Sequence, residues 1–205
     1  NIFLIGDNTF NGWEKLKEIY ISDSVKDIGR NSFAGCESLE TVYMSKNVVY
    51  IPERCFESCT ALSSFTWEAD SKLIGKLAFA GCTSLETFNF IGIEKLYPNS
   101  FQGSGIGVAS LGEAQNEAAA ALEIVESQSF MDCPELQMVA LGGNVSTVQT
   151  KAFANCENLS EVHCFATSVP KSYVDSRNSD PAYSFFDASN IENATLYVPS
   201  SAIEA

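Results

Sequence analysis

The stretch Leu39-Glu-Thr-Val42-Tyr-Met44-Ser-Lys-Asn-Val48-Val-Tyr-Ile51-Pro-Glu-Arg-Cys-Phe56-Glu-Ser-Cys59-Thr-Ala-Leu62 decides the fold, because the chain repeats its pattern. Phe10, Phe33, Phe56 and Phe79 stand 23 residues apart, as do Phe130 and Phe153. Phe101 follows Phe79 by 22 residues and Phe130 follows Phe101 by 29. Cys36, Cys59, Cys82, Cys133 and Cys156 each come three residues after such a Phe. Leu16, Leu39, Leu62, Leu85, Leu136 and Leu159 come six after one. A fixed period in this range marks a repeat array, in which one unit cannot bury its own apolar face and stacked units share a continuous core.

The period of the apolar residues changes within each unit. The pairs Ile19/Ile21, Val42/Met44, Phe65/Trp67, Phe88/Phe90, Val139/Leu141 and Val162/Cys164 alternate, as in a short strand with one buried face. The Phe-x-x-Cys-x-x-Leu segment has a spacing of three, which suits one or two turns of 3₁₀ or α-helix. The expected class is α/β: a solenoid with a parallel strand ladder on one face and short helical or 3₁₀ turns on the other. The units run about 1–16, 17–39, 40–62, 63–85, 86–106, 107–136, 137–159 and 160–194, with a closing strand over 195–205, all in one domain. Ser71 stands where this pattern expects Val.

Composition bounds the function. The chain has 205 residues, 12 Lys plus Arg against 26 Asp plus Glu, and a net charge of −14. That charge argues against nucleic acid, which needs a basic patch, and against anionic membrane surfaces. Hydrophobic residues reach 45%, enough for a sizeable core. No run of apolar residues is long enough for a transmembrane helix, and no signal peptide is visible. Ile5-Gly6 aligns with Ile28-Gly29, so the first unit starts mid-repeat and its strand is expected upstream of Asn1. An open terminal coil of this kind invites self-association.

The repeating stretch resembles the BspA-like, or treponemal-type, leucine-rich repeat over residues 2 to 165. The terminal Ala194-Thr-Leu-Tyr-Val-Pro-Ser-Ser-Ala-Ile-Glu-Ala205 is similar to the closing strand of many such proteins of Bacteroides-type bacteria. The resemblance implies a right-handed leucine-rich-repeat solenoid, secreted or held at a bacterial cell surface. It also implies adhesin-like roles for some members. Three places depart from the pattern. Ser104-Gly105 replaces the Cys position, an Ala-rich insertion spans Gly112 to Leu122, and Ser172 to Asn190 stretches the last unit.

The inventory leaves little room for catalysis. His163 is the sole imidazole, so no pair of His ligands exists for zinc and no nucleophile, base and orienting group assemble from the pattern. It sits between Val162 and Cys164 on the outward side of a strand, either solvated or touching a ligand. The five repeat cysteines share the period of the fold and read as buried free thiols, with a metal or disulfide framework as the alternative. Cys55 lies off that period and is expected to be the exposed, reactive thiol. Gly103-Ser-Gly-Ile-Gly107 lacks the lysine of a phosphate loop, and Asp175, Asp180 and Asp187 lack the spacing of a calcium loop. No cofactor is expected.

A surface remains. Glu18, Tyr20, Thr41, Tyr43, Ser64, Thr66, Thr87, Asn89, Met138, Ala140, Glu161 and His163 should point outward from the strands and line one face. Tyr20 and Tyr43 should stack on adjacent rungs. The long segment holding Tyr173, Asp175, Asp180 and Tyr183 is a second candidate, either covering the end of the core or carrying function. The reading is a non-catalytic interaction module for a host or bacterial surface protein, with no nucleic acid partner and no membrane insertion. A glycan-binding accessory domain and a passive spacer stay open as alternatives.

Overall fold

In the computed structural model, which describes residues 2–112, 122–166, 170–173 and 185–198, the chain winds as a parallel β-solenoid of about seven turns. In chain order the strands are β1 (Leu4–Ile5), β2 (Glu18–Tyr20), β3 (Asp27–Ile28), β4 (Thr41–Met44), β5 (Tyr50–Ile51), β6 (Ser64–Trp67), β7 (Lys72–Ile74) and β8 (Ile93–Leu96). They continue as β9 (Val108–Leu111), β10 (Ile124–Val125), β11 (Met138–Leu141), β12 (Thr147–Gln149), β13 (Glu161–Cys164), β14 (Lys171–Tyr173) and β15 (Thr195–Tyr197). The first strand of each coil stacks in one column, β2-β4-β6 and then β9-β11-β13-β15. The second strand stacks in another, as β1-β3, β5-β7-β8 and β10-β12-β14. Register follows the 23-residue period, with Val42 beside Ile19 and Phe65, and Val139 beside Val162. The half-unit at the start falls into place the same way, with Ile5 beside Ile28.

The Phe positions form the spine. Phe33, Phe56, Phe79, Phe101, Phe130 and Phe153 are fully buried, and Phe10 is partly buried at the first coil. Their rings stack face to face at 5.1–5.5 Å, and Phe186 extends the column beyond Phe153. Each such ring pair contributes about 0.5–1.5 kcal/mol beyond the area that it buries. The irregular spacings on either side of Phe101 leave this column unbroken.

The α/β expectation is corrected. The Phe segments are turns, and Ile191–Asn193 is the one 3₁₀ element among the described residues. The reason lies in the backbone. The residue two before each repeat Phe has positive φ (Asn8, Asn31, Arg54, Leu77, Asn99, Gln128, Lys151), and so does the residue two after it, from Gly12 to Asn155. Left-handed residues at both ends stop a helix from propagating. The amides then alternate between partners. Ala34 and Cys36 N–H close turns onto the Asn31 and Phe33 carbonyls, while Phe33 and Gly35 N–H donate to Cys55 and Glu57 of the next coil. Successive coils are thereby tied together on the turn side as well as in the strands.

The coils approach closely where glycines sit. A Cβ on Gly75 would lie 2.7 Å from the Glu53 amide nitrogen and the Pro52 carbonyl carbon, so the backbones of adjacent coils touch there.

One rung is missing from the first column. Residues 85–90 form no strand, although Phe88 and Phe90 alternate as the others do. Here Phe79 and Phe101 are 22 residues apart, so the coil is one residue short. The strand that this coil does form, β8, pairs with β7 through a register shift between Lys72 and Leu73.

Candidate interaction surface

The thiol chemistry of the repeat is structural. Cys36, Cys59, Cys82, Cys133 and Cys156 are fully buried, and each Sγ lies 3.1–3.2 Å from the carbonyl of the Phe one coil earlier. Position and polarity both matter: the S–H fills a small space and donates to a carbonyl that the turn leaves partly free. Burial pushes the thiol pKa up throughout the column, to about 11 at Cys133 and about 12 at Cys156. These groups stay protonated and unreactive at neutral pH. All seven cysteines are free.

The expectation for Cys55 is reversed. It is fully buried, its Sγ lies 3.2 Å from Ser32 Oγ, and desolvation raises its pKa to about 12. It belongs to a second small-residue column, one position before each Phe, with Ser32, Ala78, Ser100, Ser129 and Ala152, all buried. Among the described residues no cluster of His, Cys, Asp or Glu could hold a metal ion.

The outward side of the first column is where accessible polar and aromatic groups gather. Tyr20 is 67% exposed and Tyr43 38% exposed; their rings stack at 4.3 Å with 7° between planes. The parallel register places Tyr20 beside Tyr43, so the stack is a product of the repeat. Tyr20 Oη donates to Glu18 Oε1 at 2.8 Å, and that bond raises the phenol's pKa. Ser64 and Thr66 on β6 are exposed, while Thr41 on β4, Met138 and Ala140 on β11, and Glu161 on β13 are half-buried. Among the described residues, the seven strands of this column contain no Lys or Arg.

His163 is neither bare nor free. Its ring stacks on Tyr197 of β15 at 4.2 Å, and its Nε2 lies 3.0 Å from Glu161 Oε2. Tyr197 was not singled out from the sequence, although its alternation with Thr195 was available to read. The face therefore carries an aromatic pair near each end.

Thr87 and Asn89 are exposed but not on a strand. Asn89 Oδ1 accepts the Ile91 N–H at 3.0 Å, turning the chain out of the ladder. Lys72 is the residue that sequence reading missed here. It is only 3% exposed, donates its backbone N–H to the Gly92 carbonyl and its Nζ to the Ile91 carbonyl at 2.8 Å, and holds Nζ 5.7 Å from the Trp67 ring. Burial lowers its pKa. Its neighbour Ser71, in place of the expected Val, was the available signal. Of the second candidate segment, Tyr173 ends β14, while Asp175, Asp180 and Tyr183 lie outside the described residues.

A family model described as the BspA type leucine rich repeat region matches residues 1–107 and 117–204, in 6 copies. Among solved structures, a leucine-rich repeat protein from Bacteroides ovatus ATCC 8483 is similar over 85% of this chain, at 26% identity and a TM-score of 0.69. A leucine rich repeat protein of T. pallidum is similar in fold over 78% of this chain, at 24% identity and a TM-score of 0.50. The chain spans 46% of the first protein and 62% of the second. No curated protein matches it. By the extent of the family match, the chain belongs to the BspA type leucine-rich-repeat family.

Proposed function

We propose that this domain is a non-catalytic interaction scaffold, secreted or displayed at a bacterial cell surface, which binds a protein partner through the outward side of its first strand column. The observation that carries the reading is the Tyr20–Tyr43 stack, an exposed aromatic pair held rigid by β2 and β4 beside Glu18 and Thr41. Tyrosines immobilised in a ladder offer large amphipathic contact area at small entropic cost, which is the property that binding surfaces exploit. The surrounding hydroxyl, amide and carboxylate groups favour polar recognition, and the lack of Lys and Arg in these strands favours a basic partner surface. Location at the cell surface is what the family resemblance implies.

The test is a binding screen of the domain against extracellular matrix and bacterial surface proteins, run beside a glycan array. The reading expects a saturable protein partner whose affinity drops at least tenfold in Tyr20→Ala or Tyr43→Ala. Binding confined to the glycan array would replace it with the accessory glycan-binding role, and binding to neither panel would leave the spacer role.

A further inference from the structure

We infer that the missing rung at residues 86–90 is a β-strand docking site for an extended, basic polypeptide segment of a partner protein. The inference deepens the interaction reading and rests on it, but it concerns a different part of the same face.

The main chain supplies the first argument. In the first column, Met138 N–H donates to the Gly107 carbonyl and Gly142 N–H to the Leu111 carbonyl, so alternate residues of β9 point toward β11. Val108 and Ser110, between them, direct their N–H and C=O groups the other way, toward the fourth coil. On the opposite side, Ser64 N–H donates to the Glu40 carbonyl, so Phe65 and Trp67 of β6 direct their main-chain groups toward the fourth coil as well. Residues 86–90 run between these edges without pairing as a strand, joined to the start of β9 by the Gly107 N–H donating to the Glu86 carbonyl, and β6 and β9 are the terminal strands of their sheets. Two sheet edges thus flank one unpaired segment within the ladder. An open edge is a template for an added strand, which gains affinity from main-chain bonds and specificity from alternate side chains.

The gap is held open by named contacts. Lys72 fastens the Ile91 and Gly92 carbonyls, and Asn89 caps the Ile91 amide. These contacts bend the segment out of register and leave a depression of about 520 Å³ beside β9. Phe88, Ile91 and Val108 give it an apolar floor, and Ile91 and Val108 are 57% and 46% exposed. A second depression lies on the β6 side, against Ser64 and Phe65.

Charge identifies the occupant. Glu86 is the one charged residue lining the larger depression, and no strand of the column carries Lys or Arg. An extended segment alternating apolar and basic residues would place its apolar side chains on the exposed Ile91 and Val108 and a cation near Glu86.

The experiment uses the whole domain, ¹⁵N-labelled, titrated with a capped hexapeptide of alternating valine and lysine. Saturable shifts at the Val108 and Ser110 amides are expected, with amide exchange there slowed at least tenfold. The same peptide N-methylated on alternate amides, and its glutamate counterpart, should bind at least tenfold more weakly. Glu86→Lys should weaken the lysine peptide by a similar factor. No saturable shift at millimolar peptide would overturn the inference, as would equal binding of the N-methylated peptide or shifts centred on Tyr20 and Tyr43. Tyr20→Ser/Tyr43→Ser should leave the peptide response unchanged, so failure of the cleft and failure of the tyrosine surface are read separately.

Discussion

Alkaline unfolding should be governed by the buried thiols. Cys55, Cys59, Cys82, Cys133 and Cys156 are fully buried and carry the large shifts, desolvation raising every one of their pKa values above the ordinary 9.0, and buried Cys36 is raised in the same direction by less. The folded state keeps these protons while the unfolded chain releases them above pH 9, so the native state binds more protons and stability falls as pH rises. The thiol contribution is fully present below pH 9 and is lost progressively up to the folded values, about 11 for Cys133 and about 12 for Cys55 and Cys156. At pH 10 an unfolded thiol of ordinary pKa favours unfolding by about 1.4 kcal/mol, and five together by about 7 kcal/mol. That is comparable with the whole stability of a typical domain, about 5–15 kcal/mol. Lys72 acts in the opposite sense: its lowered pKa makes stability rise with pH between its folded value and 10.5, but it is one group against five. The assay is urea unfolding followed by tryptophan fluorescence under reducing conditions from pH 7 to 10. A Cys59→Ala/Cys82→Ala variant should lose about a third of the pH dependence, two of the six raised thiols. A flat urea midpoint between pH 9 and 10, or an unchanged slope in the variant, would refute the reasoning.

Other perturbations separate core, backbone and surface. Phe79→Ala removes a ring packed against Phe56, Phe65, Phe88 and Phe101, and should cost about 3–5 kcal/mol in a urea melt. Gly75→Ala drives a methyl into the backbone of the preceding coil and should cost about 1–3 kcal/mol, measured the same way. Lys72→Met leaves the Ile91 carbonyl without its Nζ partner, so amide exchange across residues 87–92 should accelerate while the buried Phe amides stay protected.

The columns that repeat a residue type were legible in the sequence. Phe and Cys at fixed phase placed the core spine, and the Tyr20–Tyr43 stack followed from alternation plus the 23-residue register. The turns were expected as 3₁₀ or α-helical turns, and the structure differs because their deciding feature is conformational. Asn31, Arg54, Leu77, Gln128 and Lys151 all adopt positive φ, and no shared side chain announces it. Cys55 was misplaced because its column mixes Ser, Cys and Ala, so that identity changes while small size persists. The missing rung was hidden by the intact Phe88/Phe90 alternation, and the single sign of it was a spacing of 22 in place of 23. Beyond Phe101, a spacing of 29 concealed β9, whose Ala109 and Leu111 are buried as the period demands.

The central claim is that the outward side of the first strand column is the working surface. The most direct measurement is the affinity of a captured protein partner for Tyr20→Ser/Tyr43→Ser, set against Glu37→Ser/Lys76→Ser, whose exposed residues lie outside the first strand column. The account predicts at least a tenfold loss for the tyrosine pair, no change for the control pair, and unchanged melting for both. Equal affinity of the two variants, or a loss confined to the control pair, would contradict it.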